Sequence, residues 1–111
     1  TTISRKLKLA AIAEQVPIVA LSQLNREVEG RTSHRPRMSD LRESGSLEQD
    51  ADVVMLLHRE DYYRRQEHPD NYEPDGTTEV IVAKQRNGPT GVASLVFLEE
   101  FMSFGDAMVM V

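Results

Sequence analysis

The stretch ISRKLKLAAIAEQVPIVALSQ, residues 3–23, decides the fold class. In its first part Ile3, Leu7, Ala10, Ala11 and Glu14 recur at the three-to-four spacing of one helical stripe, in a composition that favours helix. A helix is therefore predicted over 3–15. VPIVALSQ (16–23) has a different character: it is β-branched at Val16, Ile18 and Val19 and continuously apolar, and it ends abruptly in Ser22-Gln23. A helix running into a strand with no polar face predicts an α/β protein built on a buried, mainly parallel sheet. One detail is awkward. Arg5, Lys6 and Lys8 fall in the first turns, where the helix dipole disfavours cations, which points to a helix that begins upstream of residue 1.

Downstream, NREVEGRTSHRPRM (25–38) contains Gly30, Pro36 and several Arg, and reads as a mobile surface loop. SDLRESGSLEQD (39–50) holds two short helix starts. Ser39 or Asp40 caps the first, and Ser46 with Gln49 forms a capping box for the second. ADVVMLLHR (51–59) is a second buried strand, and the polar residues 60–77, with Pro69, Pro74 and Gly76, read as a loop open to insertion. EVIVAKQR (79–86), the turn NGPTG (87–91) and VASLVFL (92–98) predict a C-terminal β-hairpin, because Asn-Gly is a strong short turn signal. The tail carries Phe101, Phe104 and the apolar run 107–111, which is expected to pack on something.

The composition narrows the chemistry. The chain has 111 residues, 40% of them apolar, and a net charge of −5, which fits one small domain or part of a larger one. It has no Cys, so disulfides, thiolate catalysis and Cys-based zinc sites are excluded, and three scattered His (His34, His58, His68) offer little for a metal. No stretch is long and apolar enough for a membrane span, and no leader sequence opens the chain. The overall acidity hides an asymmetry. Residues 1–42 carry eight basic and four acidic side chains, whereas residues 43–80 carry three and eleven.

In an open parallel sheet, ligands gather at the carboxyl ends of strands. Gln23 ends the first predicted strand, and its amide can both donate and accept, which suits a phosphate oxygen or an attacking water; it can equally be a simple strand cap. Lys84 and Arg86 lie two residues apart on a strand and so leave the same face, where they repel unless an anion such as a polyphosphate lies between them. A solvated edge pair is the alternative. In DLRESGS (40–46), Arg42 supplies a phosphate fork, Gly45 removes a Cβ from the path of an approaching anion, and Ser44 and Ser46 add hydroxyls. That chemistry suits a nucleic-acid backbone read without regard to base, although ordinary helix capping uses similar residues. No Walker-type G-x-x-x-x-G-K-[ST] loop and no G-x-S-x-G elbow is present.

Three segments together are specific: residues 3–31, RPRMSDLRESGSLEQDADVVMLLHR (35–59) and VIVAKQRNGPTG (80–91). In order and spacing they resemble the C-terminal half of the motor domain of DnaB-type bacterial replicative helicases. The resemblance covers roughly residues 3–98, with DLRESGS followed by LEQDAD, and KQRNGPTG, as its most specific parts. It implies a partial RecA-like, P-loop NTPase core, with residues 1–111 as the C-terminal portion of that domain and the Walker A and B elements upstream. Gln23 then matches the glutamine that couples nucleotide state to DNA-binding loops. Arg42, Glu43 and Gly45 match the loop that grips single-stranded DNA in the ring's channel. Lys84 and Arg86 match the pair that reaches the γ-phosphate held by a neighbouring subunit, the arginine-finger role.

The same resemblance implies ATP and Mg²⁺ in the intact protein but none bound to this segment alone. It implies a homo-hexamer, single-stranded DNA, primase and a helicase loader as partners, no membrane, and a cytoplasmic, nucleoid-associated location. A head-to-tail contact that completes a neighbour's site closes naturally into a ring. Where the family carries an Arg–Phe pair near its end this chain has Ser103-Phe104, and residues 60–77 have no dependable counterpart. Two other readings share these residues: a RecA-like ATPase that binds single strands in recombination or repair, and an inactive fragment. The DLRESG loop favours the helicase, since recombinases build their channel loops from other residues.

Overall fold

The computed structural model describes residues 2–106. Helix α1, Ile3–Glu14, forms where the stripe predicts it, with Thr2 as N-cap accepting from the Arg5 amide, and it closes on Gln15 in the left-handed region. Its early cations are offset by acidic partners from elsewhere in the chain: Arg5 lies 3.7 Å from Asp50, and Lys8 Nζ donates to Asp52 at 2.7 Å. Tertiary ion pairs answer the unfavourable dipole here.

The sheet corrects the prediction. Four strands, β1 (Val53–His58), β2 (Thr77–Gln85), β3 (Gly91–Leu98) and β4 (Ser103–Asp106), lie in sequence order, and every pairing is antiparallel. VPIVALSQ forms no strand. It runs extended with its side chains out, Val19 at 84% and Leu21 at 98% exposure, and only the following Leu24 makes a bridge, to Leu41. The apolar run has the composition of a buried strand, but among the described residues no neighbouring strand offers it a ladder. The predicted pair of strands forms a hairpin, with Val80 opposite Ala93 and Ile81 opposite Val92, but its ladder closes at Val82 and Gly91 and Gly88 does not adopt the left-handed φ of a tight Asn-Gly turn. β1 adds to the other side of β2 through a bulge at Val54/Met55 and leaves its own outer edge open.

Three loop predictions also change. Residues 25–38 are not a mobile loop: Val28 is buried, and Arg31 forks onto Asp40 at 2.6 and 2.9 Å. Helix α2, Ser44–Asp50, starts two residues before Ser46, so the Ser46/Gln49 capping box does not form, and Glu43 precedes the helix without a side-chain cap. Residues 60–77 are not all loop, because helix α3 spans Glu60–Glu67. Its signal was electrostatic, with Glu60 and Asp61 in the first turn and Arg64 and Arg65 in the last. Asp61, 2% exposed, receives the Asp75 and Gly76 amides at 3.2 and 2.9 Å and so locks the chain's return into β2. Gly76 has φ +75° there, a conformation that a Cβ disfavours.

The core is small: Leu41, Val54 and Leu56, packed by Leu24, Met38, Leu47, Ala51, Ile81 and Ala83. It clamps α2 between the Leu41 turn and the start of the sheet. In the tail, Phe104 pairs with Phe97 across β3 and β4 with ring centroids 4.9 Å apart. The apolar run 107–111 lies outside the described residues. No described helix is long and apolar enough to cross a membrane.

Candidate functional site

Asp40 organises the first part of the site. It is 4% exposed and accepts three hydrogen bonds, two from Arg31 and one from the Arg37 amide at 2.7 Å. The Arg31 guanidinium holds its carboxyl below the usual carboxylate range. Ionised Asp40 therefore stabilises this turn above its ordinary pKa, and that contribution fades as pH falls through and below about 4. Asp40→Ala leaves the Arg31 fork and the Arg37 amide without their acceptor, at a cost of about 2–3 kcal/mol. Amide hydrogen exchange over residues 25–41 of the full-length protein is expected to accelerate accordingly; unchanged protection would show that the turn is held by something else.

The Asp40 carbonyl receives the Asn25 amide at 2.6 Å, and Leu24 bridges Leu41 in the antiparallel sense. The register of that bridge puts Gln23 opposite Arg42. Two candidates far apart in sequence are thus neighbours, by way of a bridge that local patterning does not announce. Gln23 and Arg42 are both exposed, and Arg42 forms no hydrogen bond or ion pair among the described residues.

Glu43 follows with φ 55° and ψ 37°, a left-handed conformation that costs a non-glycine residue about 1–2 kcal/mol. The turn is therefore bent against local preference just where Arg42 is presented. Gly45 lies one residue into α2, and a Cβ built there meets nothing within 4 Å. Nothing among the described residues requires glycine at that position.

The second part lies at the other end of α2, about 10 Å away along seven residues. The last carbonyls of a helix lack intrahelical partners and carry the negative end of its dipole. Here they receive the two strand cations: Lys84 Nζ donates to the Glu48 carbonyl, and Arg86 Nη2 donates to the Gln49 carbonyl at 2.9 Å. Arg86 Nη1 also lies 3.1 Å from Asp52 Oδ1, the same oxygen that accepts from Lys8. The Arg86 amide donates to the Asp52 carbonyl at 2.8 Å, which fixes the strand end to the α2–β1 junction. Lys8, followed by Arg86 and Lys84, holds the Asp52 carboxyl below its usual range. The Arg86 side chain stays 43% exposed, so it is held without being buried.

Lys84 and Arg86 do leave one face, as their spacing predicts, and the groups between them are helix carbonyls and a carboxylate. Residues 23 and 42 gather at one end of α2, residues 84 and 86 at the other. Sequence reasoning missed Asp52 and the α2 carbonyls. The available signal was the acidic run EQDAD (48–52), set against a helix whose first turns are basic. No group of three or more His, Cys, Asp or Glu positioned to hold a metal occurs among the described residues.

Comparison with known proteins places the chain in a family. Residues 1–106 match the model of the DnaB-like helicase C-terminal domain. The chain is 54% identical over 102 residues to the replicative DNA helicase DnaC of Bacillus subtilis (strain 168), and 52% identical over 102 residues to the replicative DNA helicase DnaB of Geobacillus stearothermophilus. Each alignment covers 92% of this chain and 21% of the relative, so the chain spans about a fifth of their length. One solved ATPase domain superposes with a TM-score of 0.82 at 48% identity, over 96% of this chain and 36% of that one. A DnaB-like replicative helicase, solved in work on its interactions with primase, superposes with a TM-score of 0.83 at 48% identity, over 96% of this chain and 24% of that one. The chain belongs to the family of DnaB-like helicase C-terminal domains.

Proposed function

We propose that this chain is part of an ATP-dependent replicative DNA helicase that moves 5′ to 3′ as a homo-hexameric ring. It forms the C-terminal portion of the RecA-like motor domain, with the Walker elements elsewhere in the intact protein. Arg42, Glu43 and Gly45 hold the backbone of single-stranded DNA in the channel. Lys84 and Arg86 reach the triphosphate bound by a neighbouring subunit and stabilise the charge that develops at its γ-phosphate. Gln23, set opposite Arg42, relays nucleotide state to the DNA turn. Primase and a helicase loader are the expected protein partners, and the cytoplasm is the expected location.

The single observation that carries this reading is the arrangement around α2. An exposed cation without a partner among the described residues and an open glycine flank its start, while at its end sit the half-buried Lys84 and the exposed Arg86, both held by helix carbonyls. Both cation sets suit phosphates, and no described contact accounts for the strained Glu43 backbone or for glycine at 45. ATP, when bound to the intact protein, supplies the phosphoryl group transferred to water. The residues present fit a role beside that group, since Lys84 and Arg86 offer positive charge. Mg²⁺ ligands are expected from the rest of the intact protein, since among the described residues no three His, Cys, Asp or Glu are placed to hold a metal.

A full-length protein carrying this segment is expected to unwind a forked duplex with a 5′ single-stranded tail when ATP is supplied. The 111 residues by themselves are expected neither to unwind it nor to show micromolar ATP binding in isothermal titration. Tight binding by the segment alone would place a whole nucleotide pocket within it and overturn the shared-site reading.

A further inference from the structure

Asp52 occupies an unusual position. It lies just beyond the C-terminal end of α2 and directly before β1, and one of its oxygens accepts from Lys8 of α1 and lies 3.1 Å from the Arg86 guanidinium at the end of β2. Together with the Glu48 and Gln49 carbonyls it forms the only set of acceptors that the described residues offer to the Lys84 and Arg86 head groups. The other end of α2 is the Arg42–Glu43 turn. The seven residues of α2 are one hydrogen-bonded helical unit that Leu47 seats against the core, so its two ends are rigidly connected.

We propose that Asp52 is a positioning residue for the finger cations: with the α2 carbonyls it holds Arg86 at the end of that helix, so that a shift of the Arg42 turn is delivered to the guanidinium. The proposal rests on the finger and DNA-turn reading given above and adds the device that links them. Lys8 shares the Asp52 oxygen and ties α1 to the same point, so it competes with Arg86 for the carboxylate.

The test uses the full-length helicase with Asp52→Asn, Asp52→Glu and Lys8→Met, and Arg86→Ala as control. In Asp52→Asn the stimulation of ATP turnover by single-stranded DNA is expected to fall about threefold, the scale of an exposed charge pair, through kcat with KM for ATP and single-strand affinity unchanged. Asp52→Glu restores most of the stimulation, and Lys8→Met retains it. Equal losses in Asp52→Asn and Lys8→Met would mean that Asp52 merely ties α1 down, and would overturn the proposal. So would unaltered stimulation in Asp52→Asn. If Asp52→Asn fails to assemble, Lys8→Met and Asp52→Glu decide: the proposal requires both to keep the stimulation. Normal turnover in Arg86→Ala would instead remove the finger reading itself, whereas an inactive Arg86→Ala beside an unaffected Asp52→Asn removes only the Asp52 proposal.

Discussion

Arg86→Ala in the full-length protein is expected to lower ATP turnover by about 10³-fold or more while sparing nucleotide affinity. The guanidinium is anchored by the Gln49 carbonyl and Asp52, yet 43% of the side chain faces solvent. Its held but open position suits a group that meets charge arriving from outside its own chain. An interaction made only as the γ-phosphoryl group departs lowers the barrier without tightening the ground state, so its loss appears in kcat and leaves affinity intact. Arg86→Lys is expected to recover little, because a compact ammonium cannot reproduce the planar fork that here spans Gln49 and Asp52. Steady-state turnover measured beside a nucleotide-binding titration separates the two quantities. Normal turnover in Arg86→Ala would remove Arg86 from the reaction.

Arg42→Ala is expected to weaken single-stranded DNA binding about tenfold, uniformly across base sequences, and to flatten the dependence of log affinity on log salt by about one unit. Arg42 has no acidic partner among the described residues, so its charge is available in full to a phosphate. The left-handed Glu43 holds the turn in a shape that local preference does not supply. Filter binding of several homopolymers over a salt series reads both quantities. A change in base preference at constant salt slope would mean that the turn reads bases and that the backbone-grip assignment is wrong. Arg42→Ala and Arg86→Ala are also expected to differ in kind: the first leaves turnover without DNA intact, the second does not.

Much of the local structure was legible because its causes are local. The Ile3–Leu7–Ala11 stripe makes α1, and two β-branched runs close in sequence pair as the β2–β3 hairpin, although the ladder closes at Val82 and Gly91 and Gly88 does not take the left-handed φ of a tight Asn-Gly turn. The misreadings came where distant residues decide. Val16–Leu21 has strand composition, but a strand exists only when another backbone accepts its hydrogen bonds, and among the described residues none does. Residues 25–38 have loop composition and are largely irregular, yet they are tied to distant parts of the chain, Arg31 to Asp40 and Arg35 to Glu79 on β2. α3 was overlooked because its eight residues are nearly all polar, and only the order of its charges marks it as a helix.

The candidate site divides in the same way. Residue chemistry picked out Gln23, Arg42, Gly45, Lys84 and Arg86, since forks, amides and glycines announce what they can bind, and the family resemblance added Glu43. Their arrangement depended on three contacts that no local pattern encodes: the Leu24–Leu41 bridge, the capture of Lys84 and Arg86 by the α2 carbonyls, and the Asp52 oxygen shared with Lys8.

By itself, then, the order of amino acids determined helix α1, the β2–β3 strand pair, the family resemblance and the list of phosphate-seeking side chains, because each follows from a residue's own chemistry or from neighbours within a few positions. Only the tertiary structure decided that the sheet is antiparallel, that 16–23 stays outside it, and that one short helix separates the two groups of candidates. The physical reason is the range of the forces. Helical periodicity and turn preference act over one or two turns of chain, whereas strand direction and charge pairing are settled by whichever distant segment packing brings within hydrogen-bond reach.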